Sequence, residues 1–216
     1  MFLGHFGVAL AAKKVAPGTS LGTLVLAAQF ADFLWPIFLL LGWERVRIEP
    51  GVMRLSALDF SSYPISHSLL AQVAWGALLA LIYFAVKRKA KTAILLGACV
   101  VSHWFLDWVV HRPDLPLMPW SDRRSGLGLW NSLPATVALE IGLLAIGLVL
   151  YLHATRARDR TGNIVLWSFL IVLVTLWAGT IFGPPPPNDR VLAWSALSIW
   201  LTVPWAAWAD RHRKSA

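Results

Sequence analysis

Apolar runs long enough to cross a lipid bilayer dominate this chain, and they limit its fold more than any other feature. A hydrocarbon core about 30 Å thick needs about 20 mainly apolar helical residues, because backbone polar groups inside it must be satisfied by the segment itself. The segments 20–42, 68–86, 92–111, 133–152, 164–183 and 191–209 meet this requirement, the first of them interrupted by Asp32 and Pro36. Residues 2–13 are apolar but too short, and predict a half-length or interfacial helix. Composition agrees: of 216 residues, 57% are hydrophobic and 14% charged, against about a quarter charged in soluble domains. The expected fold is all-α, a polytopic membrane helical bundle of about six transmembrane spans plus a short N-terminal apolar helix. Residues 1–152 form the part that carries the unusual polar groups. Residues 153–216 add two further transmembrane helices and a basic cytoplasmic tail to the same membrane domain. The stretch 183-GPPPPNDR-190 is a stiff extended connector, since consecutive prolines cannot continue a helix.

Orientation follows from the basic residues. Lys13 and Lys14, then Lys87, Arg88, Lys89 and Lys91, then Arg156, Arg158 and Arg160, then Arg211, Arg213 and Lys214 fall on one side of alternating spans. The positive-inside rule makes that side cytoplasmic, with both termini there. The expected location is the cytoplasmic (inner) membrane, multi-pass. The remaining basic residues are nearly cancelled by loop acids such as Glu44, Asp59 and Asp114. The net charge of +8 is therefore topological, and nucleic acid is not an expected partner. Cys99, the one cysteine, excludes an intramolecular disulfide and a cysteine zinc cluster. The start MFLGHFGVALAAKK lacks the basic n-region of a secretory signal and is expected to be retained. Membrane lipids are the expected surroundings, and no oligomeric contact is read from the sequence.

Within 102-SHWFLDWVVHRPDLPL-117, His103, Asp107 and His111 recur every fourth position and share one helical face. If His111 lies at the outer interface, Asp107 is about 6 Å and His103 about 12 Å deeper. His67 opens the second span at the same side, while Asp32 and Glu140 lie about 15 Å and 10 Å deep in the first and fourth spans. Four helices thus bring carboxylates or imidazoles to the outer half of the bilayer. Such groups cost at least a few kcal/mol each unless paired, protonated or metal-bound. With no Lys or Arg inside these spans, a divalent cation neutralises the set. Nitrogen and carboxylate oxygen donors suit zinc first, and iron or manganese next. Structural hydrogen bonds or a proton pathway account for the same residues in other ways. His111 is either a ligand or a residue of the wet interface. His5 either approaches Asp32, if residues 1–13 re-enter the membrane, or is interfacial.

The order GHFGVALAA, an acid in the first span, SHSLL, and SHWFLDWVVHRPDLPL resembles the YdjM-type inner-membrane proteins, described as membrane-bound metal-dependent hydrolases. The resemblance covers about residues 1–145, and 126-GLGLWNS-132 before Glu140 is similar to a subgroup of them. It implies a metal site at His5, Asp32, His67, His103 and Asp107. Family members often carry Pro-Asp-x-Asp after the first helix. This chain has 30-FADFLWP-36 with one Asp, which weakens the case for two metals.

The leading expectation is a membrane-embedded metal-dependent hydrolase acting near the outer face on a lipid or lipid-linked (phospho)ester. His67, His103 and Asp107 lead the ligand set, with His5 and His111 as further ligands. Asp32 and Glu140 complete the site as ligands or as a general base, whose pKa burial raises. Ser66 and Ser68 flank His67 and either orient it or hold substrate. Arg112, Arg123 and Arg124 match phosphate geometry, or are ordinary solvated loop charges. Asp114, before Leu-Pro, either shapes a turn or joins the substrate-binding group. The alternatives are a proton- or ion-coupled transporter built on the same cluster, and a structural or regulatory membrane protein.

Overall fold

Each apolar segment becomes a helix, and the residues flanking it set its ends. The computed structural model describes residues 1–216. The first helix, α1, is Leu3–Val15. Next come α2 (Leu21–Ala28) and α3 (Phe30–Leu40), then the antiparallel pair β1 (Arg45–Ile48) and β2 (Leu58–Ser62). A one-turn helix α4 (Pro64–His67) leads into α5 (Leu69–Lys87) and α6 (Ala90–Val110). The small pair β3 (Leu115–Pro116) and β4 (Arg124–Ser125) precedes α7 (Leu133–Ala154). The chain ends with β5 (Thr155–Ala157), α8 (Arg160–Phe182), α9 (Asp189–Ala196), a 3-10 segment, α10 (Thr202–Arg211) and β6 (Arg213–Ser215). Side-chain oxygens accept from orphan first-turn N–H groups: Ser20 on α2, Ser68 on α5, Asp159 on α8 and Asn188 on α9.

Five continuous stretches are long and apolar enough to cross a membrane, and the bent pair α2–α3 makes a sixth. The all-α polytopic bundle expected from the sequence is present. Two details differ from expectation. The first span is broken by 58° at Gln29, not at Asp32 or Pro36. Pro36 lies inside a continuous α3, where its missing N–H costs one hydrogen bond without breaking the helix. The loops also carry short strands that no apolar alternation announced. Of these, β5–β6 ties the C-terminal tail back to the end of α7.

The short helix α1 is buried among the other helices. Nine of its residues are buried, and it runs parallel to α7 in very close contact. A Cβ on Gly147 would lie 2.2 Å from the Gly7 carbonyl oxygen, so only glycine allows this approach. Helix α10 packs on α2 and α8, and α9 packs on α3, so residues 153–216 close the same bundle. Leu3, Phe6, Leu10, Leu24, Leu96 and Phe169 share one apolar core. Leu81, Ile94, Ile146 and Ile171 face outward, as lipid contact permits.

Candidate metal centre

Four structural elements converge on one buried polar cluster. Helical spacing puts His103 and Asp107 on the same face of α6. The single turn α4 delivers His67, the first turn of α3 delivers Asp32, and α1 delivers His5. His5, His67, His103 and Asp107 are all at least 96% buried, while the Asp32 side chain is 24% exposed. The cluster is therefore reached through Asp32. Two overlapping donor groups form, His5–His103–Asp107 and Asp32–His67–His103.

Hydrogen-bond polarity shows what this cluster offers. His103 Nδ1 lies 2.9 Å from the Ala28 carbonyl oxygen, which can only accept. Nδ1 therefore carries the proton, and Nε2 faces the carboxylates. The break at Gln29 makes this contact available, because carbonyls at the end of α2 lack helical partners. Asp107 Oδ2 is 3.1 Å from His103 Nε2, yet that nitrogen has no hydrogen-bond partner. His67 Nε2 lies 3.4 Å from Asp32 Oδ1 and 3.8 Å from Asp107 Oδ2. His103 Nε2 is 3.7 Å from Asp32 Oδ1. Each of the two imidazole nitrogens thus faces an oxygen of both carboxylates, while Asp32 and Asp107 belong to different donor groups.

These separations fit a divalent cation. Four ligands at about 2.0–2.2 Å around tetrahedral zinc stand about 3.3–3.6 Å apart. The observed 3.1–3.8 Å between each imidazole and each carboxylate brackets that spacing. The other Asp107 oxygen is already engaged. Oδ1 meets His5 Nε2 at 3.1 Å and the Met1 ammonium. The His5 ring stacks on His103, with centroids 3.6 Å apart and planes within 5°. His5 therefore steadies the cluster from one side, and its Nδ1 is buried without a partner.

The structure places the other candidate residues elsewhere. His111, just past α6, lies outside both donor groups. Its Nδ1 is 3.1 Å from Asp114 Oδ1, and the Tyr63 hydroxyl donates to the same oxygen at 3.1 Å. Arg112 bonds Asp114 and Asp59, so these loop charges are internally paired. Burial opposes ionisation of Asp114, but bonds from His111, Arg112 and Tyr63 prevail and hold its pKa below the usual range. Glu140 accepts the Phe2 and Leu3 amides at 2.9 Å and 2.6 Å, anchoring the start of α1. Ser68 caps α5 by accepting the Ala71 amide. Arg124 donates to the carbonyls of Phe60 and Ser61.

Ser66 touches the cluster directly, with Oγ 2.7 Å from His67 Nδ1. Behind it stands Glu44, by sequence an ordinary loop acid. Glu44 is 2% exposed and accepts the Ile65 and Ser66 amides at 2.7 Å and 2.8 Å, and the Ser66 hydroxyl at 2.6 Å. Burial holds the Glu44 pKa above the usual range, and the Ser66 hydroxyl, His67 and the two amides offset this only in part. Its position just after the first span was the one available signal, and the β1–β2 excursion between it and Ser66 hid the link.

No curated protein and no solved structure matches the chain. A family model described as YdjM inner membrane protein matches residues 1–184. The match takes in every element of the cluster and extends through α8. The chain belongs to the YdjM inner membrane protein family.

Proposed function

We propose that this protein is a membrane-embedded metal-dependent hydrolase acting near the outer membrane face. One observation carries the reading. The Nε2 atoms of His67 and His103 each lie 3.1–3.8 Å from Asp32 Oδ1 and Asp107 Oδ2, and the buried His103 Nε2 has no hydrogen-bond partner. His67, His103, Asp107 and Asp32 hold the metal, zinc before iron or manganese. A bound divalent cation of this kind lowers the pKa of water and polarises an ester oxygen. Asp32 is the exposed member, and its second oxygen takes the proton of the attacking water. His5 stacks on His103 and holds its ring plane.

The substrate is a lipid or lipid-linked (phospho)ester. Its reacting bond lies at bilayer depth, which suits the position of Asp32 on a membrane helix. A pocket of about 250 Å³ beside α4 suits its polar end. Ser62, Tyr63, Trp120 and Arg124 line that pocket, and Arg124 is pre-oriented for phosphate by its two carbonyl contacts. Tyr63 forms the partition, with its ring 5.3 Å from the His67 ring. The transporter alternative needs a polar path to the other face. Phe6, Ala9, Leu10 and Ala12 are buried along α1 below His5, which supports a closed, apolar floor instead.

The test is metal content after purification in detergent without a His-tag, measured by inductively coupled plasma mass spectrometry. Near-stoichiometric zinc, iron or manganese is expected in the wild type and not in folded His103→Ala. The wild type is then expected to release head groups from mixed lipid phosphoesters. A wild type that takes up none of these metals after reconstitution sinks the reading.

A further inference from the structure

The contacts around His67 form a directed chain. The Glu44 carboxylate has acceptor sites only, and Ser66 Oγ lies 2.6 Å from its Oε2. The single hydroxyl proton of Ser66 is therefore donated to Glu44. Ser66 Oγ then meets His67 Nδ1, 2.7 Å away, as an acceptor, so that nitrogen must carry the ring proton. The lone pair of a neutral His67 is left on Nε2, the atom facing Asp32 and Asp107. Glu44 is itself immobilised, because its Oε1 binds the two amides that open α4. All three residues are at least 96% buried, so water does not compete for these bonds.

We propose that Glu44 is a positioning residue: acting through Ser66, it fixes the tautomer and ring orientation of His67 so that Nε2 is offered to the metal. The chain does for His67 what the Ala28 carbonyl does for His103, by a longer route. Its consequence for catalysis rests on the metal-centre reading above, but the tautomer itself does not. Outer contacts of this kind typically change metal affinity 10–100-fold.

Glu44→Gln tests the direction of the chain. To keep accepting the Ile65 and Ser66 amides, the glutamine must turn its NH2 toward Ser66 Oγ. The Ser66 hydroxyl then donates to His67 Nδ1, and the ring proton moves to Nε2. ¹⁵N-histidine NMR in detergent micelles, with His67 assigned by its loss in His67→Gln, reads this without metal. The expected result is an Nδ1-protonated ring in the wild type and an Nε2-protonated ring in Glu44→Gln. Zinc affinity, measured by chelator competition, is expected to fall roughly 10–100-fold in the same variant. Ser66→Ala removes only a hydroxyl and provides a second route should Glu44→Gln not fold. In that background, adding Glu44→Gln is expected to cost no further zinc affinity, because the link is already cut. A His67 tautomer that stays on Nδ1 in Glu44→Gln, or additive losses in the double variant, overturns the proposal. Absence of zinc binding in the wild type overturns the metal reading, and the tautomer measurement still decides the role of Glu44.

Discussion

The bundle buries two polar constellations, at opposite ends of α1, and they are built on different principles. At the C-terminal end, Lys13 donates to Asp210 at 2.6 Å and to the Thr19 carbonyl at 2.8 Å. The Tyr151 hydroxyl and the Leu21 amide also donate to the Asp210 carboxylate. One positive charge meets one negative charge, and the donors and acceptors match. At the other end, the Met1 ammonium and His5 engage one oxygen of Asp107, while its other oxygen and Asp32 Oδ1 face the Nε2 atoms of His67 and His103. That cluster is held rigidly yet left incomplete. A closed ion pair joins helices and needs nothing more, whereas a cluster that buries an imidazole nitrogen without a hydrogen-bond partner keeps a donor free for a ligand.

Variants at the two ends should separate these roles. The largest effect is expected for His103→Ala, which removes a central donor shared by both groups. It should abolish stoichiometric metal while the bundle stays folded, as read by metal analysis beside size-exclusion chromatography. Lys13→Met should do the reverse. Leaving Asp210 buried without its partner costs about 3–5 kcal/mol of stability, with metal content unchanged when measured in the folded fraction. Should Lys13→Met instead release metal, the two ends are coupled through α1 and the contrast fails.

Two smaller effects concern pH. The lowered pKa of Asp114 means that its contribution is present above the usual carboxylate range and lost as pH falls through the folded-state value. Asp114→Asn should cost about 1–3 kcal/mol near neutral pH and flatten the acid side of the stability curve, without changing metal stoichiometry. Asp159 is exposed, and His212 together with the Gly162 amide lowers its pKa. Asp159→Asn should shift the acid limb in the same direction by the least of these changes. A loss of metal in Asp114→Asn would make the His111–Asp114 pair part of the centre and redraw the boundary between paired and unpaired regions.

The spans were legible because hydrophobic length is a local property, and all six appear within a few residues of where hydropathy puts them. His103 and Asp107 were legible for the same kind of reason, since a four-residue spacing on a helix decides which face two side chains share. His111 shows where this fails. It continues the stripe by count, but α6 ends at Val110 and His111 is extended, so its ring turns to Asp114 and Tyr63. Glu140 lay at a suitable depth, yet depth does not reveal a partner, and the start of α1 claims it.

The sequence by itself determined that this is a membrane bundle, where its helices run, and that imidazoles and carboxylates lie within the bilayer. Each of these follows from the composition and period of a single segment. Only the tertiary structure decided that α1 enters the bundle, that α2–α3 breaks at Gln29 to free the Ala28 carbonyl, and that Glu44 reaches back to Ser66. Those outcomes depend on contacts between residues far apart in the chain, where packing and hydrogen-bond satisfaction outweigh any local preference.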